Sequence, residues 1–266
     1  MQHENIQDRR VKGVGEWLIR TEEFRRWCGL GGEGGGDGSV LFCYGDPGVG
    51  KTFIRYQGLF IGDRREIVLT GCHDSSLVVD RLRDESRELN TIVTCFYFDF
   101  TARKAISVTD ILGSLLKQII REMEIVPEEI SRGLREHKDS VFGGYKQQLV
   151  GIVQILQLIT SSQPTFICID ALDECTGVQL ARVLESLKQV LDKSPRTRIF
   201  LTGRPHIRAE IEGHLSGRVA SVYVGPNKDD FITYIRARLA NDKSPNSMDE
   251  CLKEDILNTL GNTSET

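Results

Sequence analysis

The sequence has no cysteine pair in C-x-x-C spacing, no apolar run of membrane-spanning length, no surplus of positive charge and no internal repeat. Each absence removes a class of protein. Seven scattered cysteines, an odd number, indicate neither a disulfide framework nor a zinc site. Cys43, Cys95 and Cys168 sit inside apolar runs, where a thiol behaves as a small buried hydrophobe; this suits a reducing cytoplasm. Residues 1–10 are polar, so neither a signal peptide nor a transmembrane helix is expected, and a membrane is not an expected partner. A formal net charge of −4 gives no global attraction to nucleic acid, which is likewise not an expected partner. Without a repeat period the chain is not a solenoid.

What is present is enough apolar material, 39% of 266 residues, for a substantial core. Five β-prone apolar runs stand out: Val40 to Tyr44, Ile92 to Phe98, Phe166 to Asp170, Ile199 to Thr202 and Val219 to Val224. Helical patterns separate them, among them Ser107 to Met123, Lys146 to Ile159 and Val178 to Leu191. That alternation predicts an α/β fold with a central, mostly parallel five-stranded sheet flanked by helices. Before it, Trp17, Leu18, Phe24 and Trp27 recur at roughly helical spacing and predict a short amphipathic helix packed on the main domain. The stretch "GLGGEGGGDG", Gly29 to Gly38, reads as a flexible connector. After Pro226, "NKDDFITYIRARLA" places Phe231, Ile232, Ile235 and Leu239 on one helical face, and "MDECLKEDILNTLG" predicts another helix. The expected division is an N-terminal helix and linker over 1–38, a P-loop domain over 39–225, and the start of a helical subdomain over 226–266.

Gly45-Asp46-Pro47-Gly48-Val49-Gly50-Lys51-Thr52 matches G-x-x-x-x-G-K-[ST] and follows a predicted strand, the setting a P-loop requires. Its glycines let backbone N–H groups face phosphates, Lys51 places a charge on the β- and γ-phosphates, and the Thr52 hydroxyl reaches Mg2+. Such a loop leaves the metal half-held, so a second acidic strand end is expected. "TFICIDALDEC" supplies it: Asp170 would hold Mg2+, with Asp173 and Glu174 placed to complete the metal shell and orient the attacking water. Capping of a following helix is the plainer role for Asp170. A third strand end, "RIFLTGRPH", places Arg204 after an apolar run. A guanidinium there could sense a γ-phosphate, though an arginine in a turn before proline needs no such role.

Together "CYGDPGVGKT", "FICIDALDEC" and "LTGRPH" resemble the Walker A, Walker B and sensor motifs of fungal NACHT-type NTPases of the STAND class, the signalling ATPases and GTPases that include NOD-like innate-immune receptors. "RRVKGVGEWLIRTEEFRRW" is similar to the segment preceding many fungal NACHT domains. The resemblance implies a γ-phosphate sensor at Arg204 and a metal and hydrolytic cluster at Asp170, Asp173 and Glu174. It implies Mg2+ with ATP or GTP as the bound species and slow hydrolysis. It also implies a switch in which nucleotide exchange opens a closed monomer that becomes a homo-oligomer and drives an attached effector. The effector and the ligand-sensing repeats of that family are missing from this sequence. Two other readings stand beside it: a nucleotide-binding or fold-only scaffold without turnover, and a small-molecule kinase, which the lack of an evident acceptor lid disfavours.

One stretch departs from the family pattern. A P-loop is followed by a helix whose N-terminus faces the phosphates, yet here Gly58, Gly62 and the strand-like Ile67 to Thr70 interrupt it, each internal glycine costing roughly 1 kcal/mol. Joining Ile54 to Ser75 restores an amphipathic helix with Phe53, Ile54, Leu77, Val78 and Leu82 near one side. Arg55 to Asp74 therefore reads as a translated retained intron or an error in gene structure. A natural insertion forming a surface loop is the alternative.

Overall fold

The five apolar runs become five strands: β1 (Val40–Tyr44), β2 (Ile92–Tyr97), β3 (Thr165–Asp170), β4 (Thr197–Gly203) and β5 (Val219–Tyr223). They form one sheet in the order β2-β3-β4-β1-β5, and every neighbouring pair is parallel. The expected parallel sheet is thus present, with every neighbouring pair of described strands parallel. These strands belong to a computed structural model that describes residues 13–29, 38–46, 77–98, 106–123, 125–139, 145–175, 177–225 and 227–240, with Leu252, Glu254 and Asp255. Alternation along β1 explains why the runs are continuously apolar. Val40 and Phe42 enter the core on one face while Leu41 and Cys43 enter the core on the other, and a strand buried on both faces has no polar side to show.

Helices cover both faces. The expected N-terminal helix is two short ones, α1 (Glu16–Arg20) and α2 (Glu22–Cys28), because the extended backbone of Thr21 ends the first while its hydroxyl accepts from the Phe24 N–H to cap the second. α3 (Leu77–Leu89) precedes β2; α4 (Val108–Glu122), α5 (Glu128–Asp139) and α6 (Tyr145–Ser162) lie between β2 and β3. α7 (Gly177–Lys193) joins β3 to β4, α8 (Arg208–His214) joins β4 to β5, and α9 (Lys228–Ala240) follows the sheet. A reciprocal capping box between Ser107 and Asp110 starts α4, at the boundary its sequence predicts. Of the second helix expected near the C-terminus, only Leu252, Glu254 and Asp255 are described, all helical.

The N-terminal helices are part of the core. Trp27 is almost completely buried, its ring 5.3 Å from that of Phe166 and 5.9 Å from that of Phe200, with Phe24 at 5.5 Å. Such aromatic pairs add about 0.5–1.5 kcal/mol beyond the area they bury. Arg198, also buried, donates from Nε to the Trp27 carbonyl at 3.1 Å and from Nη1 to the Pro195 carbonyl at 2.9 Å. It thereby ties the C-terminal end of α2 to β4. At the other end of the chain, Trp17 Nε1 donates to Asp230 at 3.1 Å, so α1 is fastened to α9. The exposed edge of β2 is closed by a side chain: Gln118 of α4 donates to the Cys95 carbonyl at 2.8 Å and accepts from the Cys95 N–H at 3.0 Å. Among the described residues no strand lies beyond β2, and this amide takes up the backbone groups of Cys95 on that edge.

The connections fix where a ligand would sit. The next described helix after β1, α3, buries Val78, Val79 and Leu82 with α2 on one face of the sheet, whereas α8 after β4 buries Ile211 with α4, α6 and α7 on the other. β1 and β4 are neighbours, so the described helices that follow these adjacent strands lie on opposite faces. In open α/β sheets the crevice at the carboxyl end of such a switch point is the ligand site. Among the described residues no helix is long and apolar enough to cross a membrane.

Candidate functional site at the carboxyl ends of three strands

Tyr44 of β1 lies in register with Gly203 of β4, and the Gly45 N–H donates to the Gly203 carbonyl at 3.3 Å. The start of the glycine-rich loop is therefore bonded to the strand that ends in Arg204. Of the loop itself Gly45 and Asp46 are described, with Asp46 accepting from the Tyr223 hydroxyl at 3.4 Å. Pro47, Gly48, Val49, Gly50, Lys51 and Thr52 lie outside the described residues, as does the suspected insertion 55–74. The helix expected beyond that insertion is α3, whose Leu77, Val78 and Leu82 are buried; Phe53 and Ile54, on the same side in the restored pattern, lie outside the described residues.

The acidic strand end is a compact device. Ile169 pairs with Leu201 across β3 and β4, so Asp170 and Thr202, one residue further on each strand, face each other on the same side of the sheet. Thr202 Oγ1 lies 2.5 Å from Asp170 Oδ1 and accepts from the Ala171 N–H at 3.0 Å. Ala171 is left-handed, with φ 54 and ψ 44, a conformation that costs a residue with a Cβ roughly 1–2 kcal/mol. That turn sends the chain into a single 3-10 turn, Leu172–Glu174, anchored by buried Leu172. The N-cap of that 3-10 turn is Ala171, with no side-chain cap bond, and the Asp170 carboxylate meets β4 instead.

The turn returns Asp173 and Glu174 to β4, where Arg204 holds both. Arg204 Nε is 2.9 Å from Asp173 Oδ2, and Nη2 is 3.5 Å from Glu174 Oε1. The Asp173 side chain is only 6% exposed, against 34% for Glu174 and 47% for Arg204. Gly203 permits this approach: a Cβ there would lie 2.7 Å from Ile207 Cδ1 and 3.4 Å from Asp173 Oδ1. The fold therefore brings together Asp170, Asp173, Glu174 and Arg204, drawn from two strand ends, beside the strand that carries Gly45 and Asp46.

Thr202 and Gly203 were not singled out in the sequence, although the parallel placement of Asp170 and Thr202 at the ends of two apolar runs was a usable signal. A second cluster was also missed. Arg208 donates to the Tyr44 hydroxyl at 2.7 Å, stacks 4.8 Å from the Tyr44 ring centre, and binds Glu212 at 2.7 Å. Ser221 donates to the same Glu212 oxygen at 2.8 Å. The hydrogen bonds from Arg208 and then Ser221 hold the Glu212 carboxyl below its usual range.

As a metal site the donor set is sparse. No group of three His, Cys, Asp or Glu side chains among the described residues could cage an ion. A single carboxylate at a strand end, Asp170, is a donor that suits Mg2+, which takes few protein ligands and keeps the rest for phosphate oxygens and water; Thr52, the other expected ligand, lies outside the described residues.

Comparison with solved structures returns P-loop NTPase folds. Cdc6p from Pyrobaculum aerophilum is 13% identical, matching 92% of this chain and 55% of its own length with a TM-score of 0.51. The Aeropyrum pernix Orc1 protein, solved in complex with DNA, is 14% identical over 92% of this chain and 59% of its own, with a TM-score of 0.48. This chain thus spans little more than half the length of those proteins. No curated protein matches it in sequence. A family does: the one described as Nephrocystin 3, N-terminal, matches residues 13–57 and 74–204, well over half of the chain, from the N-terminal helices through all three motifs to Arg204. The chain is a P-loop NTPase fold and belongs to the Nephrocystin 3, N-terminal family.

Proposed function

We propose that the chain is the nucleotide-binding engine of a STAND-type signalling switch of the NACHT kind, binding ATP or GTP with Mg2+ and hydrolysing it slowly. The observation that carries this reading is the convergence of Asp170, Asp173, Glu174 and Arg204 beside the strand leading into the glycine-rich loop. In this reading Gly45 to Thr52 wrap the phosphates and Lys51 neutralises the β- and γ-phosphates. Thr52 and Asp170 would hold Mg2+, which would supply further charge neutralisation. Glu174, the more exposed of the two acids that Arg204 holds, orients a water and receives its proton, while Arg204 swings to the γ-phosphate.

Attachment of α1 to α9 through Trp17 and Asp230 supports a role in signalling, because it gives the segment before the P-loop domain a mechanical link to the segment after it. Oligomerisation on activation, a cytoplasmic location and the lack of a nucleic-acid partner belong to the same proposal. We further propose that Arg55 to Asp74 is foreign to the working domain. The family match breaks off at residue 57 and resumes at 74, nearly the bounds that the glycines and the interrupted helix suggest.

A scaffold without turnover is the second reading, favoured by the pairing of Arg204 with both acids that turnover would use. Incubation of the purified chain with labelled ATP and GTP, with and without Mg2+, tests these readings. Binding with slow release of phosphate supports the switch, binding alone supports a nucleotide-binding scaffold, and absence of binding to either nucleotide refutes the switch and leaves only a fold-only scaffold.

A further inference from the structure

We infer that Thr202 is a positioning residue that sets the Asp170 carboxylate for the metal; this rests on the proposed Mg2+-nucleotide site. Thr202 is 5% exposed, on a central strand, in the same row as Cys43 of β1 and Asp170 of β3. Its partners determine the direction of its single hydroxyl proton. Oγ1 accepts from the Ala171 N–H at 3.0 Å, and the carboxylate 2.5 Å away can only accept, so the hydroxyl donates to Asp170 Oδ1. A hydroxyl-to-carboxylate bond of this length belongs to the stronger, charge-assisted kind.

This one atom bears on two rotations. The first is the plane of the Asp170 carboxyl, whose terminal torsion is intrinsically broad. The second is the peptide of Ala171, whose left-handed backbone starts the turn that carries Asp173 and Glu174. The branched Cβ of threonine restricts its own side-chain rotation, so the hydroxyl is a stiff reference. Hydrogen-bonding partners of metal ligands act in this way, and their loss typically lowers metal affinity by about 10–100-fold. Valine has the shape of threonine but neither bond, whereas serine keeps both.

The test is titration of the full chain and of its Thr202→Val and Thr202→Ser variants with ATP and GTP, each in Mg2+ and in EDTA, alongside thermal melts of the free proteins. The expected result is that Thr202→Val loses about tenfold or more of the affinity gained from Mg2+, keeps the wild-type affinity in EDTA, and that Thr202→Ser retains the Mg2+ gain. Should Thr202→Val not fold, Thr202→Ala carries the same comparison. A Mg2+ gain as large in the valine variant as in the wild type overturns the inference while leaving the proposed function standing. Equal loss in Mg2+ and in EDTA also overturns it, since a merely structural role would lower both. A wild-type chain that binds neither nucleotide in Mg2+ overturns the function and this inference together.

Discussion

Arg204 and Asp173 are joined by a 2.9 Å contact between Nε and Oδ2, and the other arm of the same guanidinium reaches Glu174 at 3.5 Å. The arginine assigned to the γ-phosphate is thus bound to the residues assigned to the attacking water. In the proposed function, turning Arg204 toward a γ-phosphate would draw it away from the acids and free Glu174 for water, so that nucleotide and carboxylates would compete for one side chain.

For Arg204→Ala, the guanidinium is half exposed but the Asp173 side chain is buried, so the variant takes a partner from a buried carboxylate and should lose about 1–3 kcal/mol in a thermal or denaturant melt. Nucleotide selectivity should change as well. The variant is expected to lose the preference of the wild type for triphosphate over diphosphate, measured as the ratio of the two affinities. An unchanged ratio would show that Arg204 serves only to hold the acids.

Glu174→Gln keeps the shape of the side chain and removes its capacity to take a proton. Nucleotide affinity should stay within about twofold, while phosphate release slows by about a hundredfold or more. Single-turnover hydrolysis with labelled nucleotide separates the two effects. Undiminished release would assign the water to another residue, Asp173 first.

Burial governs the thiols. It pushes the Cys168 thiol up to about 12, the Cys175 thiol up to about 11, and Cys43 further still. The native state therefore holds these protons where the unfolded chain has released them. With the native state binding more protons, stability is full below about pH 9 and falls as pH rises through the range between the unfolded and native values. Melting temperature should be level from about pH 7 to pH 8.5 and decline above about pH 9. At pH 7.5 an alkylating reagent should modify partly exposed Cys28 and spare Cys43, Cys95, Cys168 and Cys175 in the folded protein. Peptide mapping that found the buried four modified at the rate of Cys28 would contradict the described core.

Much of this architecture was legible from the chain. Strands buried on both faces announce themselves as continuous apolar runs, so Val40 to Tyr44 and the four others were found within a residue or two at most ends. Ser107 declared the start of α4 through the chemistry of its cap. The break between α1 and α2 was hidden, because Thr21 does its work through one backbone rotation while the apolar spacing runs on undisturbed. In the site, the acidic residues and Arg204 were visible as motifs, but their mutual contacts depend on sheet order, which places β4 between β1 and β3. No local pattern carries that order. Thr202 shows the limit well: its sequence neighbours mark it as one more strand residue, and only the register of β3 on β4 sets it against Asp170.

Deleting Arg55 to Asp74 should strengthen rather than harm the domain. α3 already packs Val78, Val79 and Leu82 against the sheet, and the deletion would join the sequence leading into it to Ile54, giving the unbroken amphipathic pattern expected after a P-loop. A higher melting temperature and tighter Mg2+-nucleotide binding are expected, with nucleotide raising the melt further by linkage. An insoluble product, or weaker binding, would make the segment a native part of the fold.

The central claim is that the glycine-rich loop holds a nucleotide triphosphate against the Asp170 and Arg204 strand ends. Calorimetric titration of the wild-type chain and of Lys51→Ala with ATP and GTP in Mg2+ tests it most directly. Lys51 supplies the charge paired with the β- and γ-phosphates, and its removal should weaken binding by about tenfold or more while leaving the melt of the free protein unchanged. Saturable wild-type binding that the variant loses is the predicted result; equal affinity in the two proteins, or no binding by the wild type, would contradict the account.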